Sequence, residues 1–427
     1  MFLYLFIFII LIHSKGCFAQ YSPWPQTWRL NESTIIMACN SSGDLDPLAT
    51  GKFAIVDVDW SSGKEQWAKQ HPMQNDVSII RQALAVAAVL PNRRVFVYRN
   101  SIKGLPFFSD VHSILSNSSY NAWFVPFGPP TINGSSWHSP PCDTNYHPPL
   151  CSTLYHDQVD TPQYPGECEA PACDCGGVPC GEYLFDFRAA NMSINGQTFT
   201  DWFINDYYFS KTALGHPNIS GLYIDDFWSI TGGPSEMTGS AVKDMGLSTY
   251  DVADMTAAYQ WVMSKVRSIV IERGKWMWSE FLNNDPFQFE NGGCIQPWVR
   301  KTTCDTDLRQ LCGNSTIQSR TLVYGFSPGC PELNPANLTQ VDQDIVNFQL
   351  IRGPFAFLGS GWQGCSPTLN YEYPLLLNSD FGVPLSICSE TIPGKSGIFV
   401  REFSRSTLQM DCQTWTPTIT WKFDKTN

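Results

Sequence analysis

Short apolar runs alternate along most of the chain with stretches of helical spacing, and this alternation predicts an α/β protein. Residues 53–59 (Phe-Ala-Ile-Val-Asp-Val-Asp) read as a buried strand, and 76–89 as a helix with one apolar face. Pro91 punctuates that helix before a second strand at 94–98, and 107–115 is a shorter helical stretch. Further strands are expected at 183–187, 221–225, 275–280, 320–325 and 355–359, with helices at 199–214, 252–273 and 342–352. Gly274 stands where the longest helix needs a C-cap. Strands apolar on both faces and separated by helices point to a parallel sheet covered on both sides. No GxGxxG or GxxxxGK loop opens a helix, so a nucleotide-binding doubly wound sheet is the weaker option. The expected fold is a (β/α)8 TIM-type barrel with a disulfide-rich insertion and a short C-terminal β appendage.

Two segments break the pattern. Residues 126–182 are rich in Pro, Gly, Asn and Cys and lack periodicity, as expected of a disulfide-laced excursion over one face of the domain. Near the C-terminus, 397–404, 406–411 and 418–421 read as strands, one of which would close the barrel while the rest form the appendage. The organisation expected is residues 1–19 as signal peptide, 20–50 as an N-terminal segment, 51–395 as the barrel and 396–427 as closing strand and β tail.

Composition narrows the function classes. Only 15% of residues are charged and 14% are aromatic, the opposite of a disordered chain. A net charge of −12 without any Lys/Arg run argues against nucleic acid as partner. Residues 1–13 are almost wholly apolar but short of the ~20 needed to span a bilayer. Cys17-Phe18-Ala19 offers small residues at the positions a signal peptidase reads, so cleavage is expected after Ala19. The protein is therefore expected outside the cell or in the cell wall, without stable membrane insertion and as a monomer. Setting Cys17 aside leaves 14 of the 15 cysteines, an even number that suits disulfides. The dense cluster Cys168, Cys173, Cys175 and Cys180 lacks the paired CxxC spacing of a structural zinc site. N-glycosylation is expected at some of Asn31, Asn40, Asn117, Asn133, Asn191, Asn218, Asn314 and Asn337.

Barrel active sites lie at the C-terminal ends of the strands. Those ends carry Asp57, Asp59 and Trp60; Tyr98, Arg99 and Asn100; Asp186 and Arg188; Asp225, Asp226 and Trp228; Trp278 and Glu280; and finally Tyr324 and Trp362. Together they predict an acidic bowl lined with aromatic rings, suited to sugar. Glycoside hydrolysis needs two facing carboxylates, one to donate a proton and one to attack carbon or activate water. Asp225 and Glu280 are the expected pair, since adjacent parallel strands lie ~4.8 Å apart and a retaining enzyme needs ~5.5 Å. Strand parity ranks Asp225 above Asp226, which more simply caps or braces a loop. The remaining bowl residues, from Asp57, Asp59, Trp60, Tyr98 and Arg99 to Asp186, Arg188, Asp226, Trp228, Trp278, Tyr324 and Trp362, are substrate-binding candidates. The blander alternatives are that Asp57 and Asp59 brace Arg99 and that Arg188 pairs with Asp186. His147 and His156 show no metal-ligand spacing, and neither a metal nor a cofactor is expected. The absence of GxSxG and HExxH argues against the common serine esterases and zinc proteases.

Tyr-Leu-Phe-Asp-Phe-Arg (183–188), Asp201-Trp202-Phe203 and Asn218-Ile-Ser-Gly-Leu-Tyr-Ile-Asp-Asp226 resemble the middle of a family of secreted (β/α)8-barrel glycoside-hydrolase-like proteins. Ile398-Phe-Val-Arg-Glu-Phe-Ser, with Leu408 and Asp411 beyond, is similar to their closing strands. An Asp on strand four with a Glu on strand five is similar to retaining α-glucan-acting enzymes. The resemblance therefore implies Asp225 as nucleophile and Glu280 as acid/base. The chain departs from the α-amylase pattern, with no Gly-Phe-Arg-x-Asp on strand four and no His-Asp pair after strand seven, so sugar and linkage do not carry over. The expected function is hydrolysis of an oligo- or polysaccharide by an O-glycosyl hydrolase. The alternative is a non-catalytic carbohydrate-binding or structural secreted glycoprotein, which would keep the tryptophans without needing a facing acid pair.

Overall fold

The computed structural model describes residues 24, 26–70, 72–89, 93–127, 153–157, 175–229, 233–234, 242, 245–279, 297–319, 322–327, 337–362, 365 and 371–422. Seven strands form one parallel sheet: β1 (Thr34–Ala38), β2 (Ile55–Val58), β3 (Arg94–Asn100), β4 (Gly221–Asp225), β5 (Trp276–Ser279), β6 (Leu322–Gly325) and β7 (Ala356–Ser360). Their order across the sheet is β5-β4-β3-β2-β1-β7-β6. Chain order therefore runs round the sheet, with the first strand paired to both the second and the last. That cyclic order belongs to a barrel. The curl is visible in Trp24, whose indole lies 5.6 Å from Phe96 on β3 and 5.1 Å from Phe357 on β7. Two strands separate β3 from β7, and one indole reaches both only from a concave face.

The principal helices cover the convex face. In α1 (Asn75–Val89), Ile79, Ala83 and Val86 are buried at helical spacing. In α3 (Thr249–Glu272), Ser248 and Asp251 form a reciprocal capping box. The stripe Val252, Met255, Tyr259, Val262, Val266 and Val270 then faces inward. Gly274, at φ 65°, ends the helix in the left-handed conformation expected of a C-cap. The other two are α4 (Cys304–Leu311) and α5 (Val341–Ile351), with the short α2 (Ser109–Leu115) between β3 and β4 to be counted in chain order.

Three expectations need correcting. The stretch 34–38, placed in the N-terminal segment, is the interior strand β1, since five wholly buried residues suffice for a strand enclosed by neighbours. The stretch 183–187 does not enter the parallel sheet. Glu182–Leu184 pairs antiparallel with Lys103–Gly104 and His156–Asp157 instead, while Phe185 and Phe187 pack on the rings of 199–207. The tail contributes no closing strand among the described residues. β8 (Ser389–Glu390), β9 (Ile398–Glu402), β10 (Ser406–Asp411) and β11 (Thr416–Trp421) form their own antiparallel sheet. Short turns let these strands satisfy their backbone bonds with each other.

The tail sheet buries Phe399, Leu408 and Met410 in a second core with Ile345 and Phe348 of α5. Disulfides Cys304–Cys412 and Cys312–Cys388 fasten it to α4 and the residue after it, and Cys39–Cys365 joins the ends of β1 and β7. Cys175–Cys180 closes a short loop inside the cysteine-rich insertion. All eight described cysteines are paired, as in an oxidising compartment. Among the described residues no helix is long and apolar enough to cross a membrane.

Candidate active site

Alternation along β3 puts Phe96, Tyr98 and Asn100 on the concave face that Trp24 identifies. Register then fixes the rest of that face. Tyr98 stands opposite Tyr223, Tyr223 opposite Trp278, and Asn100 opposite Asp225. Tyr98, Tyr223 and Trp278 make one layer of rings, with centroids 6.0 and 5.1 Å apart along the series. Asp225 sits one layer above them, at the C-terminal end of β4.

Two donors fix the half-buried Asp225 carboxylate. Tyr98 Oη donates to its Oδ2 at 2.7 Å, and the Asp226 N–H donates to its Oδ1 at 2.9 Å. Burial, reinforced by the charges of Asp225 and Asp226, pushes the Tyr98 phenol well above its ordinary value. It therefore stays a neutral donor across the physiological range. The chain turns sharply at Asp226, φ 59°, a left-handed conformation that Asp tolerates better than most residues. This turn directs the two adjacent carboxylates to different partners. Asp226 is buried and accepts from Asn100 Nδ2 at 2.6 Å and from Lys103 Nζ at 3.0 Å. Lys103 also meets Glu182 at 3.0 Å, while Asn100 Nδ2 donates to Tyr98 Oη at 3.0 Å. Ser101 donates its N–H to the Asp225 carbonyl at 2.8 Å, and its hydroxyl lies 2.9 Å from Tyr259 of α3. One connected network thus aims Asp225.

The other candidates divide. Asp57 lies on the concave face, fully buried, and among the described residues neither of its carboxylate oxygens has a hydrogen-bond partner. Burial, with the neighbouring Asp59, pushes its carboxyl well above the usual range. Asp59 accepts from the Ser61 N–H at 2.8 Å and is pushed up to about 6 by burial. Trp60 is stacked on Phe107 at 5.1 Å and lies 6.3 Å from Tyr98. Trp362 is 41% exposed.

Several candidates are engaged elsewhere. Arg99 points away from Tyr98, to the convex face, where it donates to the Tyr98, Tyr207 and Thr212 carbonyls. It braces the shell of the barrel, and neither Asp57 nor Asp59 braces it. Asp186 caps residues 187–189 and grips Arg188, which also reaches Asp251 at the start of α3. Tyr324 is buried on the convex side, its hydroxyl accepting from the Val299 N–H at 3.4 Å. Trp228 is buried and pairs antiparallel with Pro234. Glu280 lies outside the described residues.

Sequence reasoning missed Lys103, Glu182, Ser101 and Tyr259. Lys103 carries the one usable signal, a single cation in the run Ile102-Lys-Gly-Leu-Pro-Phe-Phe108, since a buried Lys needs a counter-charge. For metal, the one convergent group among the described residues is Asp59 with Cys39 and Cys365, whose sulfurs are already bonded to each other.

No family model matches this chain, and no curated protein does. Among solved structures, it is similar to a debranching enzyme from Nostoc punctiforme, at 8% identity and a TM-score of 0.44, over 91% of this chain and 90% of that one. It is similar to a sucrose 6F-phosphate phosphorylase from Thermoanaerobacter thermosaccharolyticum at 10% identity and a TM-score of 0.42, covering 93% and 96%. A maltogenic amylase from S. marinus follows at 9% identity and a TM-score of 0.41, over 91% of this chain and 62% of that one. None of them transfers a residue role to this chain.

Proposed function

We propose that this chain is an exported glycoside hydrolase that cleaves an oligo- or polysaccharide with retention, using Asp225 as nucleophile and Glu280 as acid/base. The observation that carries the reading is the half-buried Asp225 carboxylate, held by Tyr98 and its own turn above the rings of Tyr223 and Trp278. A nucleophile needs this fixed aim, because orientation is a large part of what a covalent catalyst supplies. Glu280 follows Ser279 in sequence, and strand parity counted from Trp278 would assign it to the face that bears Asp225. In the first step Asp225 attacks the anomeric carbon as Glu280 protonates the leaving oxygen. In the second, Glu280 takes a proton from water, whose oxygen displaces Asp225 and releases the sugar. Tyr98 orients Asp225 throughout.

The same reading has residues 1–19 removed on export. It also places glycans on exposed sequons, of which Asn117, Asn191, Asn218 and Asn337 are exposed in the fold. The test is reducing-sugar release by the purified protein from a panel of plant, fungal and bacterial glycans. Asp225→Asn and Glu280→Gln are each expected to lower turnover at least ~10³-fold while the unfolding midpoint stays within ~1 kcal/mol of wild type. Near-normal turnover in both variants refutes the assignment. Retained glycan binding without turnover in the wild type would identify a non-catalytic sugar-binding protein instead.

A further inference from the structure

At the opposite end of the barrel, a cavity of about 450 Å³ opens between the segment entering β1 and the tail sheet. Its position follows from the chain: residues 26–32 lead into the N-terminal end of β1, and the Thr27 N–H is bound to the Pro354 carbonyl just before β7. Trp28 lines it and is half-buried, with the guanidinium carbons of Arg352 and Arg401 each 5.4 Å from its ring. Both arginines are buried and bound to backbone carbonyls, so the indole rests on a fixed support. Two ion pairs also line the cavity, Arg29 with Glu32 at 3.3 Å and Arg405 with Asp380. One arises in the N-terminal segment and the other in the tail, so the cavity spans two parts of the fold.

We propose that this cavity is a second carbohydrate-binding site, remote from Asp225, which takes a neutral sugar unit of a longer chain. A cavity of this volume is of ligand size. Trp28 brings half-buried aromatic surface to the lining, and such surface suits a pyranose ring. Each ion pair presents planar donors and acceptors together, which matches adjacent sugar hydroxyls. Because each arginine already has a carboxylate, the lining carries no net charge, and an anion would have to displace a partner. The site lies beyond the proposed hydrolysis and does not need it, since an inert sugar-binding protein would use it equally. Affinity electrophoresis of the full chain in native gels containing soluble starch, xylan or galactomannan tests it. Wild type and Asp225→Asn are expected to be retarded equally by at least one of these polymers. Trp28→Ala and the double variant Arg29→Gln/Arg405→Gln should both weaken that retardation about tenfold or more, equivalent to ~1.4 kcal/mol. The double variant changes exposed side chains only, so folding is not in question there. No retardation of wild type by any polymer, or wild-type retardation of either variant, overturns the proposal.

Discussion

Asp57 is a buried carboxyl with no hydrogen-bond partner on either oxygen among the described residues, one layer beneath the ring layer of Tyr98. Its folded-state titration is raised above that of the unfolded chain, so the folded state holds a proton that the unfolded state has released. Stability from this group is complete below the unfolded value and is lost as pH rises towards the folded one. Asp57→Asn, which has no proton to lose, is therefore expected to gain on wild type by roughly 1–3 kcal/mol more at pH 7 than at pH 5. Urea midpoints at the two pH values check this, and a gain independent of pH would contradict it. At this scale strand parity was the informative signal. It set Asp225 apart from Asp226, and in the structure the two carboxylates turn to different partners. The same alternation sends Arg99, also at the end of that strand, to the other face. Lys103 and Glu182 were illegible because their meeting depends on a small antiparallel sheet that joins distant stretches of chain.

Among the elements, α5 shows how one side chain joins two layers. Arg401 of β9 donates to the Gln349, Leu350 and Arg352 carbonyls at 3.0, 3.1 and 2.7 Å, satisfying the C-terminal end of that helix. Burial lowers its guanidinium to about 10, which still leaves it charged at neutral pH. Arg401→Met keeps the stem but leaves those carbonyls buried and unanswered, and should cost about 3 kcal/mol. Chemical denaturation measures it, and a loss under ~1 kcal/mol would show that the cap is dispensable. Helices α1 and α3 were legible because their buried stripes repeat at helical spacing, whereas α5 is buried all round from Asp344 to Ile351. The strands were less so. A run such as Thr-Ile-Ile-Met-Ala (34–38) has no alternation because both faces are buried, and only its neighbours distinguish it from a loop. The tail was misplaced for the complementary reason, since the alternation of buried and half-buried positions along β10 marks a half-covered strand but not which sheet holds it.

For the whole molecule, the raised carboxyls act in one direction. Burial lifts Asp59 and Asp110 to about 6 and Asp344 to about 7, and raises Asp57 well above the usual range. Each favours the folded state most when protonated, so the thermal midpoint should rise as pH falls from 8 to 5. Below about pH 4 the order reverses. Glu390, held down to about 2 chiefly by Arg309, and Asp44, held down by Arg81, then lose the interactions that require their charge. A calorimetric series across this range with its maximum at neutral or alkaline pH would contradict the assignment. If residues 1–19 are removed as proposed, thiol titration of the unfolded, unreduced protein should detect no free thiol, and two or more would count against full pairing. The cyclic strand order carries a different consequence, for how the chain is made. β1 emerges from the ribosome early and can pair with β2 at once, yet its other edge belongs to β7, joined through Cys39 and Cys365 at a sequence separation of 326. Until β7 arrives, β1, an interior strand of the finished sheet, is an edge strand, with unsatisfied backbone groups and four apolar residues in five. The most protected part of the native protein is thus the most vulnerable part of the nascent one.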